Sequence, residues 1–194
     1  MKKGFTLLEL LIVIGILAVL STTMVLVINP AEMLRRARDS QRISDLNTIK
    51  SALAFYLTEA ASPDLDGVVS SGWFIYQHPG ITVNGTSCAG KTTKTLISSQ
   101  AVNGTGWIPV NLSDLTGGSP ISGYPVDPNP YTDKRYYIYL PDQNTYTFEL
   151  LANMESTTYS AQEATDGGLL NDVYEVGTRM IATATTGCYA NTGQ

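Results

Sequence analysis

From Phe5 to Ile28 the chain runs for 24 residues with a single charge, Glu9. At the helical rise this segment is roughly 36 Å long, enough to cross a bilayer core of about 30 Å. An ordinary secretory signal has a shorter apolar core followed by a small-residue cleavage site; Ser21-Thr22-Thr23 is the nearest candidate for one. Lys2 and Lys3 precede the run and hold the extreme N-terminus on the cytoplasmic side, which puts residues beyond about 30 outside. Glu9 is the anomaly. A carboxylate at mid-membrane costs about 2.5–3.5 kcal/mol on insertion scales and calls for a partner. Either it sits near the membrane edge and snorkels, or it is neutralised. Lys2 and Lys3 lie beyond Gly4, so the same helix offers no strong cation. A cut after Gly4 would create one: the new amino group of Phe5, placed to meet Glu9 of a neighbouring copy.

The octet Lys3-Gly4-Phe5-Thr6-Leu7-Leu8-Glu9-Leu10, with its apolar continuation, closely resembles the class III signal of type IV pilins and type II secretion pseudopilins. The resemblance implies cleavage between Gly4 and Phe5 by a prepilin peptidase, N-methylation of Phe5, and a role for Glu9 in docking the subunit. It also implies an inner-membrane assembly platform and self-association into a helical filament. These are features on which another enzyme acts, and no catalytic residue of this chain follows from them.

Asn29-Pro30 comes next. Pro30 either kinks a continuous helix or starts a new one, with Asn29 as its cap and Glu32 in its first turn. By the same resemblance, Pro30 marks where a pilin helix loosens within a filament. From Ala31 to about Ala60 the pattern is amphipathic: Ile43, Leu46, Ile49, Leu53, Tyr56 and Leu57 fall on one side. Arg35, Arg36, Arg38, Asp39, Arg42, Asp45 and Lys50 occupy the others. They read either as a solvated face with helical pairs such as Arg35–Asp39, worth tenths of a kcal/mol, or as inter-subunit and headgroup contacts. Ser62-Pro63 is the stop signal. Arg36 through Leu46 also resembles many prepilin sequences.

Charge divides the chain. Residues 1–62 carry seven Lys/Arg against five Asp/Glu, and the rest carry five against twelve, so the head holds −7 of an overall −5. An acidic body argues against a nucleic-acid partner, although Lys91–Lys94 and Lys134-Arg135 are small basic patches. Strand and turn signals fill the head. Trp73–Tyr76 and Ile81–Val83 read as strands, and Thr92–Ile97 as a strand or a helix start. Leu112–Leu115 reads as one helical turn, and Asn84-Gly85 and Asn103-Gly104 as hairpin turns. The clearest hairpin is Arg135–Leu140, a turn at Pro141–Asn144, and Thr145–Leu150. Tyr137, Tyr139, Tyr146 and Phe148 are its packing residues. Val173–Val176 and Met180–Ala184 read as a last strand pair.

The expected organisation is a leader at 1–4, a membrane or filament-core helix at 5–28, its amphipathic continuation at 29–61 and a head at 62–194. The fold class is α+β: a long N-terminal helix packed on an antiparallel sheet, type IV pilin-like. The expected location is the cytoplasmic membrane, single-pass with the head outside and lipid around the helix, and then a surface or periplasmic filament.

Within the head, Gly123–Tyr131 is a proline-fixed loop that resembles the Pro-x-Asp-Pro loop of pilins and pseudopilins. The resemblance to major pseudopilins raises calcium, with Asp127, Asp133 and Asp142 as candidate oxygen ligands. Turn chemistry explains the same residues without it, and no other cofactor is expected. Cys88 and Cys188 are the only cysteines; in an exported head they are either a disulfide closing about a hundred residues or two free thiols. Asn84, Asn103 and Asn111 match the glycosylation pattern. His78 is the single histidine, so a histidine-based nucleophile or zinc site has almost nothing to draw on. The chain reads as a structural subunit rather than an enzyme, with pseudopilin and minor or competence pilin as alternatives.

Overall fold

The computed structural model describes residues 4–70, 72–79, 87–129, 135–182 and 188. The first helix, α1, spans Leu7–Ile28 and the second, α2, spans Pro30–Glu59. They are separate helices. Asn29 adopts φ 44° and ψ 73°, ending α1 in the left-handed region, and its side chain accepts the Glu32 N–H at the start of α2. Asn tolerates that conformation better than most residues. Pro30 occupies the first turn of α2, where its missing N–H costs nothing. Of the two readings of Asn29-Pro30, the capped restart is the one formed. α2 ends at Glu59, three residues before Ser62-Pro63, with the Ala60 N–H bonded to the Tyr56 carbonyl.

The head is a five-stranded sheet in the order β2-β1-β3-β4-β5, with β1 Gly72–Tyr76, β2 Thr93–Ile97, β3 Ile138–Asp142, β4 Thr147–Ala152 and β5 Tyr174–Gly177. A short helix, α3, covers Thr157–Glu163, and Leu112–Asp114 form a 3-10 turn. β3, β4 and β5 are antiparallel, as is β1 with β3, but β2 runs parallel to β1. The sheet is thus mostly antiparallel, as expected, with β2 the exception: residues 77–92 are long enough for the crossover a parallel pair requires. The main hairpin is shifted along the chain. Pro141 and Asp142 belong to β3, and Pro141 faces Phe148. The turn is Gln143–Tyr146. No strand forms over Met180–Ala182, so among the described residues β5 pairs with β4 alone; residues 183 and 184, like Ile81–Val83 and Asn84-Gly85, lie outside the described residues.

Strand alternation sends side chains to two cores. Phe74, Tyr139, Phe148, Leu150, Ala152 and Val176 meet Leu46, Ile49, Ala52, Leu53 and Tyr56 of α2. Tyr139 lies between Phe74 and Phe148, with ring centroids 6.0 and 6.2 Å away. Burying Leu46, Ile49 or Leu53 contributes roughly 1.5–3 kcal/mol each. The expected stripe is thus the docking face, with Ile43 and Leu57 at its half-buried margins. The other sheet face is also covered. Trp73, Ile75, Ile138, Leu140 and Leu151 pack with Leu170, Val173, Ala182 and the two cysteines.

Candidate functional site

Two constellations carry functional meaning: the exposed N-terminal helix and the junction that holds α2 to the head.

On α1, Thr6 and Glu9 form a reciprocal cap. The Glu9 N–H donates to Thr6 Oγ1 at 3.3 Å, and Glu9 Oε2 accepts the Thr6 N–H and O–H at 2.9 and 2.7 Å. The Thr-x-x-Glu spacing is the sequence signature of this capping box, and reading Glu9 only as a membrane acid passes over it. The carboxylate therefore has local partners before any neighbour arrives. Gly4 and Phe5 precede the helix and are exposed. Beyond the cap, Leu7–Met24 is an 18-residue apolar window with none of it buried. Leu7, Leu8, Leu10, Val19, Leu20 and Met24 are all more than half exposed. An apolar surface of this size on a soluble molecule marks an interaction face. Nothing in the described chain covers it.

The junction is built on Arg42. The guanidinium is fully buried and grips Asp127 through two parallel bonds, Nε to Oδ2 at 2.7 Å and Nη2 to Oδ1 at 2.8 Å. Nη1 reaches Asp39 at 2.7 Å, and Nη2 also reaches Glu155 at 2.6 Å. Arg38 pairs with Glu155 through Nε and Nη2, and Arg135 approaches the same carboxylate at 3.8 Å. Three cations thus face three anions. Asp39 is satisfied further by the backbone N–H groups of Glu155 and Ser156, at 2.9 and 2.7 Å. The cluster welds α2 to the Asp127 loop and to the β4–α3 connection. Burial alone would raise the Glu155 carboxyl, but hydrogen bonds from Arg38 and Arg42 outweigh it and hold the group at about 2. Burial likewise opposes the charge on Arg42, and the bonds to Asp127, Glu155 and Asp39 more than restore it.

This cluster corrects the solvated-face reading of the α2 charges. Asp39 and Arg42 are buried, Arg38 is partly so, and Arg35 pairs with Glu32 rather than Asp39. The Asp39-x-x-Arg42 spacing and the rigid Asp127-Pro128 loop are visible in the chain. Glu155, which completes the set, carries no local signal.

Asp127 and Asp142, the calcium candidates among the described residues, are each engaged elsewhere. Asp127 is committed to Arg42 and to the Asn129 N–H. Asp142 accepts the Asn144 N–H at the hairpin turn, and Asp133 lies outside the described residues. Among the described residues no group of three or more His, Cys, Asp or Glu is placed to hold a metal ion. Cys88 and Cys188 form a disulfide with Cα atoms 4.4 Å apart. Both are fully buried, and Tyr136 donates to the Cys188 carbonyl at 2.8 Å. His78 stands edge-on to Tyr76, ring centroids 5.0 Å apart. Lys91 is half-buried in a hollow lined by Asp142 and Ile181, Lys94 lies on the edge strand β2, and Lys134 is outside the described residues. Asn103 is exposed and holds Thr105, whereas Asn111 caps the 3-10 turn; Asn84 is outside the described residues.

Residues 1–25 match the prokaryotic N-terminal methylation motif. This N-terminus is a prepilin-type class III signal, and the α+β arrangement behind it, helix on a mostly antiparallel sheet, is consistent with a pilin-like fold. No curated protein and no solved structure matches the chain.

Proposed function

We propose that this chain is a structural subunit of a type IV pilus-like filament. The observation that carries the reading is the exposed apolar stretch Leu7–Met24 of α1, which lies within the methylation motif. In this reading a prepilin peptidase removes residues 1–4 and Phe5 is N-methylated. The subunit then waits as a single-pass membrane protein with its head outside. Assembly exchanges the lipid around α1 for neighbouring copies of α1. Glu9 would leave its Thr6 cap, or share it, to meet the Phe5 amine of the next subunit, offsetting the cost of burying the acid. The junction at Arg42 supports this mechanically: pulling on α1 and α2 pulls on the head through buried charge pairs as well as apolar contacts.

The pseudopilin alternative draws on the resemblance of the Gly123–Tyr131 loop. Against its calcium-binding form stands the commitment of Asp127 to Arg42.

Intact mass spectrometry of the protein isolated from assembled filaments tests the proposal. The expected product lacks Met1–Gly4 and carries one methyl group on Phe5. Gly4→Val should block the cut, and Glu9→Ala should give processed protein with little filament. Full-length chains inside finished filaments would overturn the reading, as would normal filament yield from Glu9→Ala.

A further inference from the structure

The second face of the sheet contains two acids where an apolar surface is expected. Glu149 on β4 is 0% exposed and Glu175 on β5 is 2% exposed. Glu149 pairs with Gly177 and Leu151 with Glu175, so the two acids are diagonal neighbours on the same face. Oε2 of Glu149 accepts the N–H groups of Ile181 and Ala182, both at 2.7 Å. Oε2 of Glu175 accepts the Leu170 N–H at 2.6 Å. Oε1 of each has no hydrogen-bond partner among the described residues, and the two side chains are close enough to act on each other. A proton carried by one of the two would give both of these buried oxygens a partner. Gly168 packs against Glu175: a Cβ at that position would lie 2.0 Å from its Oε2.

The surrounding groups favour keeping that proton. Asp166, on the loop, accepts the Glu175 N–H at 2.6 Å and adds a like charge. Glu163 of α3 is buried on the Met154 N–H. Tyr136, before β3, donates to the Cys188 carbonyl. Of the cations, Lys91 shares a hollow with Ile181, and Lys94 stands in the row of Glu149, reached through Leu140 and Trp73, three strands or about 14 Å away. Arg179 is exposed on the turn after β5.

We propose that Glu149 and Glu175 are a proton-sharing latch on the outer sheet face. With one proton between them they hold the 166–170 loop and the Ile181–Ala182 segment on the sheet. When that proton leaves to water, two buried carboxylates repel and both segments lift. Trp73, Ile75, Ile138, Leu140 and Leu151 are then uncovered while the Cys88–Cys188 bridge still tethers the tail. Burial first, and the bond to Glu149 next, push Glu175 up to about 8, so the latch works near neutral pH. The inference is independent of the filament reading.

Hydrogen exchange of the full chain in detergent micelles, expressed as protection relative to the intrinsic rate, tests the latch. Between about pH 6.5 and pH 9.0, protection at Leu170, Ile181 and Ala182 should fall about tenfold while β3 keeps its protection, because each pH unit past the second ionisation is worth about tenfold. Glu175→Gln supplies a permanent donor and should flatten that dependence. A second measurement is spectroscopic. The infrared band of a protonated carboxyl should be present at about pH 6.5 and bleach over the same range, and the part of it that Glu175→Gln removes, beyond what Glu163 contributes, belongs to the latch. Constant protection, loss spread equally over β3, an unchanged pH response in Glu175→Gln, or no protonated-carboxyl band at about pH 6.5 would each overturn the proposal.

Discussion

Arg42 shows how much one side chain can hold together. It supplies three hydrogen bonds that join α2 to Asp127 and Glu155, and a fourth to Asp39 on its own helix. Removing it leaves the buried Asp127 without a cation and takes one charged partner each from Asp39 and Glu155. Breaking a buried pair from one side costs about 3–5 kcal/mol, because the uncompensated charge remains. Arg42→Ala should therefore lose stability in that range, read from the denaturant midpoint of the detergent-solubilised chain. Arg35→Ala, whose partner Glu32 is 3.8 Å away at an exposed site, should change it by less than about 1 kcal/mol. Equal effects of the two would contradict the buried junction. A sequence shows both arginines on one helix, and only the packing of the Asp127 loop and Glu155 tells them apart.

Elements are joined here by two different devices. The apolar stripe of α2 lies on the inner sheet face through unspecific burial, and its period of three and four residues made that face readable in advance. The disulfide is specific. It links Cys88 to Cys188 across 100 residues and ties the tail to the segment before β2. In the chain-entropy model a loop of that length is worth about 4.7 kcal/mol. The double substitution Cys88→Ser with Cys188→Ser should lower the thermal midpoint and weaken protection of the outer face before the inner one. An unchanged midpoint would mean that packing of Ala182 and Tyr136 suffices without the bond. The strand boundaries were less legible than the strands. Pro141 looks like a turn residue, yet Gln143 donates to the Pro63 carbonyl and accepts the Leu65 N–H, which draws the turn two residues onward.

At the scale of the whole molecule, buried acids set the response to pH. Burial, opposed by the Met154 N–H and reinforced by Asp172, Asp39 and Asp166, pushes Glu163 up to about 7; Glu175 stands at about 8. The folded chain thus holds more protons than the unfolded one between the ordinary value of 4.5 and these values. Stability should fall as pH rises through that window and level off above it. Glu155, held at about 2, works in the opposite sense. Its contribution is present above 4.5 and is lost as pH falls toward 2. Maximum stability is expected near pH 4–5, measured as the thermal midpoint across a buffer series; a midpoint that climbs steadily from about pH 5 to pH 8 would contradict the buried-acid assignment.

The N-terminal segment speaks through local rules. Length, apolarity, the Gly4-Phe5 junction and the spacing of Thr6 and Glu9 need no tertiary partner, because an isolated helix exposes them all. The α2 stripe is similarly periodic, and it defines one face of the head. The remaining decisions belong to long-range packing. Parallel pairing of β2, burial of Arg42 between segments 85 and 113 residues away, and the meeting of Glu149 with Glu175 depend on which strands become neighbours. A carboxylate looks the same in a sequence whether it ends in water, on a guanidinium or against another acid, and only the fold settles which.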